Sequence, residues 1–144
     1  MVSSDCLDWI RFARMDIDAA QDLYSSQQNP RNRPIEIILY HCQQGAEKAL
    51  KAYIVQHGPL AKSFHIHDMQ VLRQTCAKWS TVFNNARIIR HCAFLDPFSV
   101  VVRYPKHNFS LDTSHATRGL NSAKRVFDFV CERLGLVSVY FVVR

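Results

Sequence analysis

At 144 residues the chain is long enough to bury a sizeable core, roughly two-thirds of the surface that its unfolded form exposes. Apolar residues at 48% and charged residues at 21% exclude a disordered chain, and only four glycines and five prolines argue against a loop-rich β architecture. The formal charge of +6 and pI near 9.3 favour an anionic partner such as nucleic acid, a nucleotide or an acidic protein, but the cations are scattered and form no polybasic arm.

The first helix is expected to open at Ser3 or Ser4, an N-cap candidate followed by Asp5 and Asp8, whose charges suit the positive end of the helix dipole. It runs to about Tyr24 on a stripe of Trp9, Ala13, Ile17, Ala20, Leu23 and Tyr24, broadened by Ile10 and Phe12. Ser25 to Arg33 reads as a polar loop containing Asn29-Pro30. Asn32 is the expected cap of the second helix, with Pro34 in its first turn and Gly58-Pro59 as its stop.

That second helix is strongly amphipathic. Ile35, Ile38, Leu39, Cys42, Ala46, Ala49, Leu50 and Tyr53 make one stripe, while Glu36, Gln43, Gln44, Glu47, Lys48 and Lys51 fall away from it. A short third helix is expected from His67 or Asp68 to Lys78, with Met69, Leu72 and Cys76 inward and Asp68 as its cap. Ser80 or Thr81 opens a fourth, with a stripe of Val82, Phe83, Ala86, Ile89 and Ala93, that ends near Asp96-Pro97.

Phe98 to Thr113 holds Arg103-Tyr104-Pro105 and several turn formers and reads as an ordered loop. Thr113 or Ser114 is the expected cap of the last helix, whose stripe through Ala116, Leu120, Ala123, Phe127, Val130, Cys131 and Leu134 ends at Gly135. Residues 136–144 form a β-prone, uncharged tail up to the final Arg144, which needs cover from its own domain or from a dimer interface. The sum is one domain over residues 1–144: an all-α, antiparallel up-down bundle of about five helices.

The five cysteines (Cys6, Cys42, Cys76, Cys92 and Cys131) are odd in number and lack zinc-knuckle spacing, so no metal and no cofactor is expected. His65 and His67 have no nearby cysteine or acidic cluster to complete a site. Mostly helical-stripe thiols suit a reducing compartment, and no signal peptide or membrane-length apolar run is present, so a cytoplasmic protein without membrane attachment is expected.

Gln43-Gln44 before Ala46-Glu47-Lys48-Ala49-Leu50-Lys51-Ala52, then His67-Asp68, then Arg103-Tyr104-Pro105 before the final helix, resembles the HEPN domain family. Trp9, Ala13 and Asp16 look like that family's opening, so the resemblance runs from about Trp9 to Leu134. It implies a helical bundle that commonly dimerises, binds nucleotides or RNA, and is often encoded beside a minimal nucleotidyltransferase, as in a toxin-antitoxin type pair.

The family's enzymatic branch cuts RNA with an arginine and a histidine separated by four to six residues and paired across a dimer interface. Here Arg103 to His107 and Arg87 to His91 each leave only three residues between, and Pro105 splits the first pair. Arg87 and His91 share a helical face at i, i+4.

Cleavage needs a base for the 2′-hydroxyl, an acid for the leaving oxygen and a cation for the phosphorane, so Arg103 and His107 are the catalytic candidates. A binding role would use Lys48, Lys51 and Arg103 on phosphate oxygens, with the Tyr104 ring as a stacking surface. Asp16, Glu47, His67 and Asp68 are read as structural polar residues: Glu47 beside Lys51 as helix support, Asp16 or Glu47 as an anchor for Arg103, and His67-Asp68 as a helix opening. Three functions follow: nucleotide or RNA binding with a homodimer or nucleotidyltransferase partner, a metal-independent ribonuclease with a non-standard Arg/His pair, or a protein-interaction module.

Overall fold

The computed structural model describes residues 1–59, 66–101 and 110–142. Among the described residues six α-helices follow one another: α1 (Ser4–Ser25), α2 (Ile35–His57), α3 (Met69–Ala77), α4 (Ala86–Leu95), the single turn α5 (Phe98–Val101) and α6 (Thr113–Arg133). Two 3-10 turns, at Pro30–Asn32 and Thr81–Asn84, join them, and the described residues contain no strand.

α2 and α6 both run antiparallel to α1, and α4 runs antiparallel to α6. Gln56, near the end of α2, donates to the Met1 carbonyl and accepts the Ser3 amide at 2.8 Å, which sets α2 antiparallel to α1. Tyr24 and Gln21 of α1 meet Thr117 and Lys124 of α6 in reversed order. Along α4 the order is reversed again, with Arg118 over the Phe94 ring at one end of the contact and His91 beside Ser122 further along.

α2 is the axis of the bundle. Between Cys42 and Ile54 only Gln44 and Lys48 escape full burial, so the helix is covered on nearly all sides rather than along one stripe. This corrects the amphipathic expectation: Gln43, Glu47 and Lys51 lie inside the protein. Close packing of α1 on α2 depends on Gly45, where a Cβ would overlap Ile17 and come within 3.0 Å of the Ala13 carbonyl.

Ser3 caps α1 through the Cys6 amide, and Asp68 caps α3 through the amides of Gln70 and Val71. Other boundaries differ from expectation. Asn32 does not cap α2: it lies in a 3-10 turn capped by Asn29, and Pro34 occupies the N-cap position without a side-chain bond. The fourth helix is divided, because residues 81–84 form the 3-10 turn and Asn85 caps a new helix at Ala86. Its buried face is Ile88, Cys92 and Leu95, while Ala86 and Ala93 are exposed. On α1, Phe12 is also exposed.

Residues 98–101, expected in a loop, make α5 and bury Phe98. The cap of α6 is Asp112, not Thr113 or Ser114: its carboxylate accepts the Ser114 and His115 amides, and the His115 ring returns to the Asp112 amide in a capping box. α6 ends as expected. Gly135 takes φ of 76°, its amide reaches the Glu132 carbonyl, and the Leu136 amide reaches the Cys131 carbonyl at 2.8 Å, a Schellman closure. The segment after it turns back on α6, with Tyr140 edge-on to Phe127, although Val137 and Val142 stay exposed.

Candidate functional site

Two polar regions on different faces carry most of the chemistry. The first lies on α2. Glu47 is 2% exposed, and its carboxylate accepts from Gln43 Nε2 at 3.2 Å, from His67 Nδ1 at 3.1 Å and from Lys51 Nζ at 3.1 Å. Lys51 is as deeply buried as its partner and also lies 5.8 Å from the Trp9 ring centroid. Gln44 Nε2 donates to Gln43 Oε1 and extends the chain of bonds outward.

One turn away, Asp16 of α1 receives His41 Nδ1 at 2.9 Å and Lys48 Nζ at 2.6 Å. Every donor here has a carboxylate or amide to meet, and no buried side-chain polar atom among the described residues lacks a partner. A lysine held this way must give up a short charged contact before it meets a phosphate. Glu47 with Lys51 is therefore a desolvated pair that ties α2 to α3 through His67, not the exposed helix support that its i, i+4 spacing suggested.

The second region is a cleft of about 310 Å³ between α4 and α6, lined by Arg87, Ile88, His91, Arg125 and Phe129, with Asp128, Glu132 and Phe141 at one side. His91 Nδ1 meets Ser122 Oγ at 2.9 Å. Burial lowers the His91 pKa below the ordinary histidine value, and the guanidinium charges of Arg125, Arg90, Arg118 and Arg87 lower it further. The positive charges of four arginines on two helices thus act on one ring, and two of them, Arg87 and Arg125, line the cleft with it.

None of the four makes an ion pair among the described residues. Two are held by aromatic faces instead: Arg125 lies 3.4 Å from the Phe141 centroid and Arg118 lies 4.2 Å from that of Phe94. An aromatic face orients a guanidinium while leaving its N–H donors free for a bidentate anion.

The cysteines offer no competing chemistry. Burial pushes the Cys42, Cys92 and Cys131 thiols up to about 12, so they stay protonated near neutrality and are poor nucleophiles and poor metal ligands. No cluster of three His, Cys, Asp or Glu among the described residues has a metal-binding arrangement.

Of the residues singled out in the sequence, Asp16 with Lys48, and Glu47 with Lys51 and His67, come together in the first region, with Asp68 capping α3 beside them. Arg103, Tyr104 and His107 lie outside the described residues, as does His65. The two carboxylates offered to Arg103 as anchors, Asp16 and Glu47, are already met by lysines and histidines. Arg87 and His91 do share a face, and that face lines the α4–α6 cleft.

Sequence reasoning passed over Arg90, Arg118, Arg125 and the buried Arg73. The last bridges Gln70, the Phe83 carbonyl and Asn84, fixing the 3-10 turn against α3. Arg118 and Arg125, seven positions apart on one helix, carried a visible signal of a shared face. The meeting of Arg125 with Arg87 at one cleft, across two helices, did not show in the spacing.

No helix among the described residues is long and apolar enough to cross a membrane. No curated protein and no solved structure matches the chain. The model of the HEPN domain matches residues 6–134, from the first turn of α1 to the C-cap of α6. The match spans the helices that build both polar regions, and the chain belongs to the HEPN domain family.

Proposed function

We propose that this HEPN protein binds RNA through the phosphate groups of its backbone, in the arginine cleft between α4 and α6. The observation that carries this reading is that Arg87 and Arg125 line the cleft with His91 and make no ion pair among the described residues, with the charges of Arg90 and Arg118 near enough to act on the same ring. An unpaired arginine cluster beside aromatic rings suits a chain of phosphodiesters, and the net charge of +6 adds long-range attraction. Of the cations that the sequence offers for this role, Lys48 and Lys51 are already engaged by Asp16 and Glu47, and Arg103 lies outside the described residues.

Fluorescence anisotropy of a labelled single-stranded oligoribonucleotide tests the reading. The native chain is expected to bind with a strong salt dependence. The Arg118→Ala/Arg125→Ala double variant is expected to bind more weakly, with a log-log salt slope shallower by about 0.7 for each phosphate no longer neutralised. Lys48→Ala measured alongside separates the two faces. A larger loss of affinity in that variant assigns binding to the α1–α2 side and rejects the cleft.

A homodimer is a second reading, favoured by the apolar side chains Leu7, Phe12 and Met15 that α1 leaves at the surface. A minimal nucleotidyltransferase, in a toxin-antitoxin type pair, is the alternative partner that family membership brings into the same proposal.

A further inference from the structure

The arginine cleft contains two carboxylates, and both are occupied by the segment that follows α6. Asp128, 4% exposed, accepts the Val139 amide at 2.9 Å on Oδ1, the Tyr140 amide at 3.2 and 3.0 Å on its two oxygens, and the Phe141 amide at 2.7 Å on Oδ2. Ser138 Oγ donates to Glu132 Oε1 at 3.0 Å. The segment is held from its other side by Tyr140, whose hydroxyl reaches Asp18 of α1 at 2.8 Å and whose ring packs on Phe127.

We propose that this strap, residues 138–141, switches on the anion-binding capacity of the cleft by sequestering Asp128; the inference rests on the reading of the cleft as a phosphate site. Asp128 and Arg125 are i and i−3 on α6 and line the same cleft, close enough to pair. They make no ion pair with the strap in place, because three backbone amides already satisfy the carboxylate and Arg125 lies over Phe141. Three such bonds also disperse the negative charge that an incoming phosphate would otherwise face.

When the strap leaves, the Asp128 carboxylate loses its three amide donors, and its full negative charge faces the cleft, where Arg125 is the neighbouring cation. Arg125 has lost its aromatic seat at the same moment. The two then pair, which takes one guanidinium away from the ligand and places a carboxylate at its binding position. By linkage, a bound phosphate strand equally favours the docked strap. Asp128 is thus a positioning residue whose influence on binding has opposite sign in the two states.

The test is a mutant cycle in the full chain, read by oligoribonucleotide affinity. Tyr140→Pro removes an amide donor, the hydroxyl bond to Asp18 and the packing on Phe127, and releases the strap; Val139→Pro, which deletes only one amide, serves as a milder second variant. Loss of hydrogen-exchange protection at the remaining strap amides reports release directly. In the native background either release is expected to weaken binding, by about fivefold or more for Tyr140→Pro. Asp128→Asn, which loosens the strap but leaves no carboxylate to capture Arg125, should by itself stay within about twofold of native affinity, and adding Tyr140→Pro to it should cost less than about twofold more.

A loss in Asp128→Asn alone as large as that of Tyr140→Pro, or equal losses in both backgrounds, would assign the effect to the missing wall of the cleft and overturn the proposal. So would full affinity in a released strap. If the native chain binds no oligoribonucleotide at any salt concentration, the cleft reading itself fails and the switch falls with it, an outcome distinct from a binding protein that ignores its strap.

Discussion

Lys51 shows how far a single side chain can depart from what its neighbours in sequence suggest. With Glu47 it has the spacing of an exposed i, i+4 pair, worth a few tenths of a kcal/mol. Buried, the pair is instead a desolvated ion pair whose two members must be removed together or not at all. Lys51→Met is expected to lower stability by about 3 kcal/mol in urea unfolding, at the low end for such sites because Gln43 and His67 still reach the carboxylate. Glu47→Leu/Lys51→Met should recover much of that loss, and a double variant weaker than the single one would show that the pair is not the unit of stability. His91 offers a second check at this scale. Its folded pKa is depressed, so the unfolded chain binds the proton more readily, and the contribution of His91 to stability is present above the ordinary histidine pKa and lost as pH falls below it. His91→Gln is therefore expected to flatten the decline of melting temperature on acidification; an unchanged pH profile would contradict the burial and arginine field assigned to this ring.

At the level of elements, the packing of α1 on α2 is set by what is missing from Gly45. A methyl group there meets Ile17 and the Ala13 backbone, so Gly45→Ala should cost about 1–3 kcal/mol despite the better helix propensity of alanine. A stabilised Gly45→Ala protein would mean that the two helices separate at little cost. The ends of the elements were unevenly legible. Ser3, Asp68 and Gly135 carry local chemistry that works wherever the helix is placed, and the structure uses all three. Asp112 was displaced by the neighbouring Thr113 and Ser114 because all three are good caps, and only the return bond of His115 selects among them. The fourth helix was misread for a different reason: Arg73 of α3 holds the Phe83 carbonyl, which stabilises a 3-10 turn at a place where periodicity continues as though for an α-helix.

For the whole molecule, the exposed apolar residues of α1 and the basic cleft between α4 and α6 lie on different helices, so association and RNA binding can be separated. Phe12→Ser/Met15→Ser is expected to shift the mass measured by light scattering from dimer to monomer while the chain stays helical. A native chain that is monomeric at high concentration would remove the homodimer reading. What the sequence determined by itself was the helical content, the antiparallel setting of α1 and α2 and the HEPN family, because these follow from periodicity, caps and a local run of residues. Only the tertiary structure decided that Gln43, Glu47 and Lys51 of α2 are sealed inside and that Arg87 and Arg125, without an ion pair among the described residues, line a cleft between α4 and α6. Both depend on which helices become neighbours: burial converts Lys51 from a ligand candidate into half of an ion pair, and packing brings Arg87 and Arg125 to one cleft from positions far apart in the chain.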